Sequence, residues 1–198
     1  MKHFDRVVEL VRELHGEQKR KYTGEPYVNH TVSVSNIVRD YGGDDSMIYA
    51  ALLHDVLEDT PTTESELLDF LMDIFNDVKL SMDVLRLVVE LTDVFIKEDY
   101  PDINRKGRKE MEAMRLGKVS SKAQTIKYAD LLDNGIDIMS NDPKFGKVYL
   151  KEKGEILTSA PSDFQGHNLC IDPIISPVIS IKILLGNFVQ NKKDMKFI

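Results

Sequence analysis

The chain has no tryptophan and one cysteine, Cys170, among its 198 residues. A single thiol cannot close an intramolecular disulfide, so the fold rests on packing, and a reducing, cytoplasmic setting is expected. Positive charge is also short. Lys and Arg number 26 against 33 Asp and Glu, a formal net charge of −7, which argues against a general nucleic-acid binder. No run of about 20 uninterrupted apolar residues occurs, so no membrane-spanning helix is expected. The longest apolar stretch, Ile171 to Leu185, is interrupted by Pro173, Pro177 and Lys182. The opening residues, Met1-Lys2-His3-Phe4-Asp5-Arg6, carry charge where a signal peptide needs an apolar segment.

What is present is helical periodicity. Phe4, Val7, Val8, Leu10, Val11 and Leu14 fall at the spacing of an amphipathic helix that ends at His15, which reads as a core histidine. Gly16 to Tyr27 reads as a loop carrying the cations Lys19, Arg20 and Lys21. A helix over 28–41 follows, stopped by Gly42-Gly43, with His30 in its first turn. Further helices are expected over 66–74, 77–91 (built on Val78, Met82, Leu85, Val88, Val89 and Leu91), 104–116 and 122–140, with a polar loop over 93–102 able to move over a site. A last helix is expected over 143–158. Beyond Pro161, Gly166, Pro173 and Pro177 punctuate β-branched residues, suggesting short extended segments. His167 and Cys170 there are too few for a metal site. Length fits one domain over 1–160 and a C-terminal extension over 161–198.

The segment Ala50 to Thr60 stands out, because His54, Asp55, Glu58 and Asp59 interrupt an apolar run. Read as one helix, it stacks His54 with Glu58 and Asp55 with Asp59 in one polar patch. Unpaired buried carboxylates cost several kcal/mol, roughly, so a cation or a hydrogen-bond network is expected to compensate them. The alternative is a solvated helix end. A second polar stripe, Asp130, Asn134 and Asp137, lies among the apolar residues of 122–140. His30, His54, Asp55 and Asp130 together form a mixed nitrogen and oxygen set suited to Mn²⁺, Fe²⁺ or Zn²⁺, and so to hydrolysis of a phosphate ester. The basic residues Arg105, Arg108 and Lys109 fall at helical spacings of three and four, so at least two of them share a face that either solvates the surface or meets an anion.

The order of His30, His54-Asp55 and Asp130 resembles the HD-domain metal-dependent phosphohydrolases. His54-Asp55-Val56-Leu57-Glu58-Asp59 is similar to the HDxxED motif of the alarmone hydrolases, which remove the 3′-pyrophosphate from guanosine tetra- and pentaphosphate. Gln18 to Lys21 with Gly24 to His30 resembles that family's opening segment, and Gln124 to Asn134 its final metal motif. The resemblance covers about residues 4 to 158. It implies an all-α HD-domain bundle of about eight helices in which His30, His54, Asp55 and Asp130 hold one Mn²⁺. It further implies that Glu58 and Asp59 orient or deprotonate the attacking water, that Arg20 and Lys21 engage a guanosine nucleotide, and that Asn134 contacts ribose or 3′-phosphates. Arg105 and Arg108 would serve either the substrate or the fold. No synthetase domain is expected in so short a chain. Asp137 departs from the pattern, and facing the pocket it would repel a pyrophosphate. Two rival readings follow: an HD phosphatase or pyrophosphohydrolase acting on a nucleoside monophosphate or NADPH, and a catalytically dead nucleotide-binding signalling domain.

Overall fold

The computed structural model describes residues 2–149, and these are helical throughout, joined by loops, with one isolated antiparallel bridge between Lys19 and Pro26. The helices are α1 (Phe4–His15), α2 (Val28–Asp40), α3 (Asp45–Leu53), α4 (Val56–Asp59), α5 (Glu64–Phe75), α6 (Val78–Leu91), α7 (Arg105–Leu116) and α8 (Ser121–Asn141). Residues 143–149 are helical as well; the rest of the helix expected over 143–158, the extension over 161–198, His167 and Cys170 lie outside the described residues.

α3 is the axis of the bundle. Asp44 starts it, its side chain accepting from the Met47 amide at 3.0 Å. Ser46 through Leu53 are all buried, as a helix that is apolar all round must be. α1, α2, α6 and α8 pack around it. α5 begins with a reciprocal capping box: the Glu66 amide donates to Thr63 Oγ1, and the Thr63 amide to the Glu66 carboxylate. Asn76, in the left-handed region at φ 49°, ends it.

Two expectations change. The run 50–60 is two helices: α3 ends at Leu53, His54 caps it, and Asp55 caps α4. The Asp55 carbonyl already accepts from the Asp59 amide at 2.8 Å, so helix geometry restarts there. Its side chain turns to Tyr27 and His54, away from the line of α4. The buried face of α6 is Ser81, Val84, Leu87, Val88 and Leu91, which leaves Val78 and Met82 exposed. Ser81 fits the core because its hydroxyl donates to the Asp77 carbonyl at 2.8 Å.

Candidate metal centre

Four positions converge where α2, the α3/α4 junction and α8 meet: His30 in the first turn of α2, His54 ending α3, Asp55 opening α4 and Asp130 in mid α8. His54 Nε2 lies 3.0 Å from Asp55 Oδ2 and 3.8 Å from Asp130 Oδ1. His30 Nε2 lies 3.3 Å from Asp130 Oδ1 and 3.9 Å from Asp55 Oδ2. Both Nε2 atoms are buried, yet neither makes a hydrogen bond, despite these short separations. Donor atoms each about 2.1 Å from one cation stand about 3 to 3.5 Å apart, so this set fits around a divalent ion. His30, His54 and Asp55 are close enough to share one, and Asp130 Oδ1 approaches the two histidines, at 3.3 Å from His30 Nε2 and 3.8 Å from His54 Nε2.

Each histidine is held by its other nitrogen. His30 Nδ1 lies 2.7 Å from Asp133 Oδ2 and His54 Nδ1 lies 2.8 Å from the Ala51 carbonyl oxygen. Both Nδ1 positions therefore donate, which leaves Nε2 to face the centre. The carboxylates are held too. Tyr27 Oη donates to Asp55 Oδ2 at 2.5 Å, Asn134 Nδ2 to Asp130 Oδ1 at 2.5 Å, and Lys127 Nζ stands 3.1 Å from Asp130 Oδ2.

The cluster demands positive charge. Burial disfavours a charged His30 ring, but Asp130 and Asp133 override it and raise His30 to about 9. Burial raises the Asp130 carboxyl, and Lys127 with both histidines more than reverses that, so Asp130 stays well below the ordinary range. A divalent cation displacing these protons answers the same demand.

Glu58 and Asp59 stand apart from this set. Both are exposed on α4, where Glu58 Oε1 accepts from the Asp93 amide at 2.6 Å and Asp59 Oδ2 from Gln18 Nε2 at 2.8 Å. They tie two different segments to α4, so the expected single patch of His54, Asp55, Glu58 and Asp59 does not form. Although Glu58 is exposed as a residue, desolvation of its carboxyl, with Asp93 and Asp55 nearby, raises it to about 7 against the pull of Lys127.

The expected cations are scattered. Arg20 is nearly buried and bonded to Asp133 and Asp137. Asp137 therefore presents no unpaired charge. Lys21 is exposed, its Nζ 5.3 Å from the centre of the Tyr22 ring. Arg105 is exposed at the start of α7, and Arg108 bonds the Ile103 carbonyl. The 93–102 loop is pinned at its start. The Val94 and Phe95 amides donate to the buried Glu112, which Arg115 pairs while bonding the Glu90 and Thr92 carbonyls. His15 is buried as expected, its ring against Tyr27 and its Nδ1 2.7 Å from Gln18 Oε1.

Residues missed in the sequence are Tyr27, Ser33, Lys127 and Asp133. The last two had a signal, since Lys127, Asp130, Asn134 and Asp137 recur at helical spacing with Asp133 beside them. Tyr27 had none, because it lies in a loop and touches Asp55 only through the fold.

Comparison with known proteins identifies the family. A family model described as an HD domain matches residues 7–119, more than half of the chain. The chain is 37% identical over 134 residues to the guanosine-3′,5′-bis(diphosphate) 3′-pyrophosphohydrolase MESH1 of Drosophila melanogaster, covering 65% of each chain. It is 53% identical over 62 residues to the guanosine-3′,5′-bis(diphosphate) 3′-pyrophosphohydrolase of Aquifex aeolicus, covering 31% of this chain and 9% of that one. The matched part is thus just under two thirds of the fly protein and a small fraction of the bacterial one. A solved structure described as a metazoan ortholog of SpoT that hydrolyses ppGpp superposes with a TM-score of 0.66 at 27% identity, covering 94% of this chain and 97% of that chain. Among the described residues no helix is long and apolar enough to cross a membrane.

Proposed function

The chain belongs to the HD-domain family, and from that premise we propose that it hydrolyses guanosine 3′,5′-bis(diphosphate) to GDP and pyrophosphate with the help of one Mn²⁺. The observation that carries the metal reading is the pair of buried, unbonded Nε2 atoms of His30 and His54 aimed at two carboxylates. The substrate reading rests on the relatives, which are named or described for this hydrolysis.

His30, His54, Asp55 and Asp130 hold the cation. A divalent ion there supplies Lewis-acid polarisation of a phosphoryl oxygen and of the attacking water. Glu58 takes the water's proton: its carboxyl stands apart from the ligands but feels the charges of Asp55 and Lys127, and burial raises it to about 7, where it is ionised in part at neutral pH and basic enough to accept. Asp59 orients the same water and is itself steadied by Gln18. Tyr27 and Asn134 hold Asp55 and Asp130 against rotation, and Asn134 also meets the ribose or 3′-phosphate side of the nucleotide. Arg20 has its donors engaged by carboxylates, so it meets the base through its flat guanidinium face. Lys21, exposed on the loop that carries Arg20, supplies positive charge for the phosphates, whereas Arg108 is tied to the Ile103 carbonyl and serves the fold.

The test is product analysis on a panel: guanosine 3′,5′-bis(diphosphate), nucleoside monophosphates and NADPH, each with Mn²⁺. Pyrophosphate released from the first alone supports the proposal. Orthophosphate released from a monophosphate or NADPH, with the first untouched, transfers the metal site to a different phosphohydrolase reaction.

A further inference from the structure

We propose that Arg20 is a positioning residue of the metal centre: held between Asp133 and Asp137, it fixes Asp133 and, through Asp133, the ring of His30. The inference rests on the reading of His30 as a metal ligand.

The chain of contacts is continuous. Arg20 Nη1 donates to Asp133 Oδ2 at 2.8 Å, while Nη2 and Nε donate to Asp137 Oδ2 at 2.7 and 3.1 Å. The same Asp133 Oδ2 lies 2.7 Å from His30 Nδ1, and the other oxygen accepts from Ser33. All three charged side chains are largely withdrawn from water, at 9%, 17% and 14% exposure for Arg20, Asp133 and Asp137. Asp133 and Asp137 stand four residues apart on α8, on nearly the same face, where two carboxylates repel each other without a cation between them. Arg20 supplies it, with a planar fork that reaches both at once.

The backbone of the 16–27 loop is braced to hold the fork there. The Arg20 amide donates to the Glu25 carbonyl at 2.9 Å, the Gly24 amide to the Arg20 carbonyl at 3.0 Å, and the Tyr27 amide to the Gln18 carbonyl at 2.9 Å. Gly24 sits at φ 71°, a turn that a side chain would strain. A rigid loop thus delivers a rigid cation to the carboxylate behind a metal-facing histidine. If Asp133 swings away, His30 loses the acceptor that sets its ring plane, and Nε2 no longer meets Asp55 and Asp130.

The experiment is Mn²⁺ titration of chelator-stripped full-length protein, read by electron paramagnetic resonance of the free ion. It compares wild type with Asp133→Asn, Asp137→Asn, Arg20→Lys and, as a control on an exposed pair, Arg86→Ala. Changes behind a metal-bound histidine weaken binding about 10- to 100-fold. That range is expected for Asp133→Asn, about tenfold for Asp137→Asn and Arg20→Lys, and no change for Arg86→Ala. In the stripped protein, nitrogen–proton spectra should show a protected His30 Nδ1–H in wild type, lost to exchange in the three site variants while the His54 Nδ1–H persists. Should Arg20→Lys fail to fold, the near-isosteric Asp137→Asn carries the test. Wild-type Mn²⁺ affinity and a protected His30 Nδ1–H in Asp137→Asn overturn the proposal and leave Arg20 a brace of its loop. A wild type that binds no Mn²⁺ refutes the metal reading instead, and the His30 signal then still decides whether Arg20 positions the ring.

Discussion

Replacing Lys127 by Met should destabilise the metal-free protein much more than the metal-loaded one. The ammonium group stands 3.1 Å from Asp130 Oδ2, with side chains 14% and 8% exposed, and the charges of Glu58, Asp93 and Asp55 lie close enough to hold its proton on against burial. Removing one partner of a buried pair costs about 3 to 5 kcal/mol, because the remaining charge is left uncompensated. The lower figure applies here, since Asp130 keeps His30, His54 and the Asn134 amide as neighbours. With a divalent cation bound, Asp130 is compensated again, and the loss should fall to about 1 kcal/mol, that of an ordinary hydrogen bond. The difference, about 2 kcal/mol, must appear as tighter metal binding by the variant, roughly 30-fold, because the two effects share one thermodynamic cycle. Urea unfolding of wild type and Lys127→Met, each with chelator and with saturating Mn²⁺, measures all four corners. Equal losses with and without Mn²⁺, or a loss under about 1 kcal/mol in chelator, would refute the view that Lys127 stands in for cationic charge at this centre.

Other outcomes follow from the same geometry. Asp55→Ala should abolish metal retention, as judged by metal content after gel filtration, whereas Glu58→Ala should keep the metal and lose turnover; full activity in the Glu58 variant removes its assigned role. Activity should rise with pH through an acid limb at about 7 or below, since Glu58 is raised to about 7, acts as a base only when ionised, and is lowered by a nearby divalent cation. The Glu58→Gln variant should show only residual activity without that limb, and an unchanged limb assigns it to another group. Thr63→Ala should cost about 1 kcal/mol in urea unfolding with no change in metal affinity, because it removes a helix cap remote from the centre.

The convergence of His30, His54, Asp55 and Asp130 was legible because these residues combine unusual chemistry with helical spacing. His54-Asp55 interrupts an apolar run, and Asp130 lies among Ile126, Ala129 and Leu131, where only a compensated carboxylate survives. The break between α3 and α4 was not legible, because His54 and Asp55 keep helix-like backbone angles and no glycine or proline marks the joint. The α6 face was misread because Val78 and Met82 fit the apolar period as well as Val84 and Leu87 do, and packing against α3 and α5 chose between them. Asp137 had suggested repulsion of an anionic substrate. Its actual partner, Arg20, is 117 residues away in sequence, and only the tertiary fold makes that pairing visible.

The most direct test of a one-metal pyrophosphohydrolase is pyrophosphate release from guanosine 3′,5′-bis(diphosphate) while chelator-stripped protein is titrated with Mn²⁺. A one-metal mechanism gives negligible release at the start and a rise that saturates at one equivalent of metal per chain. Full release from stripped protein, or no pyrophosphate at any metal concentration, would contradict it.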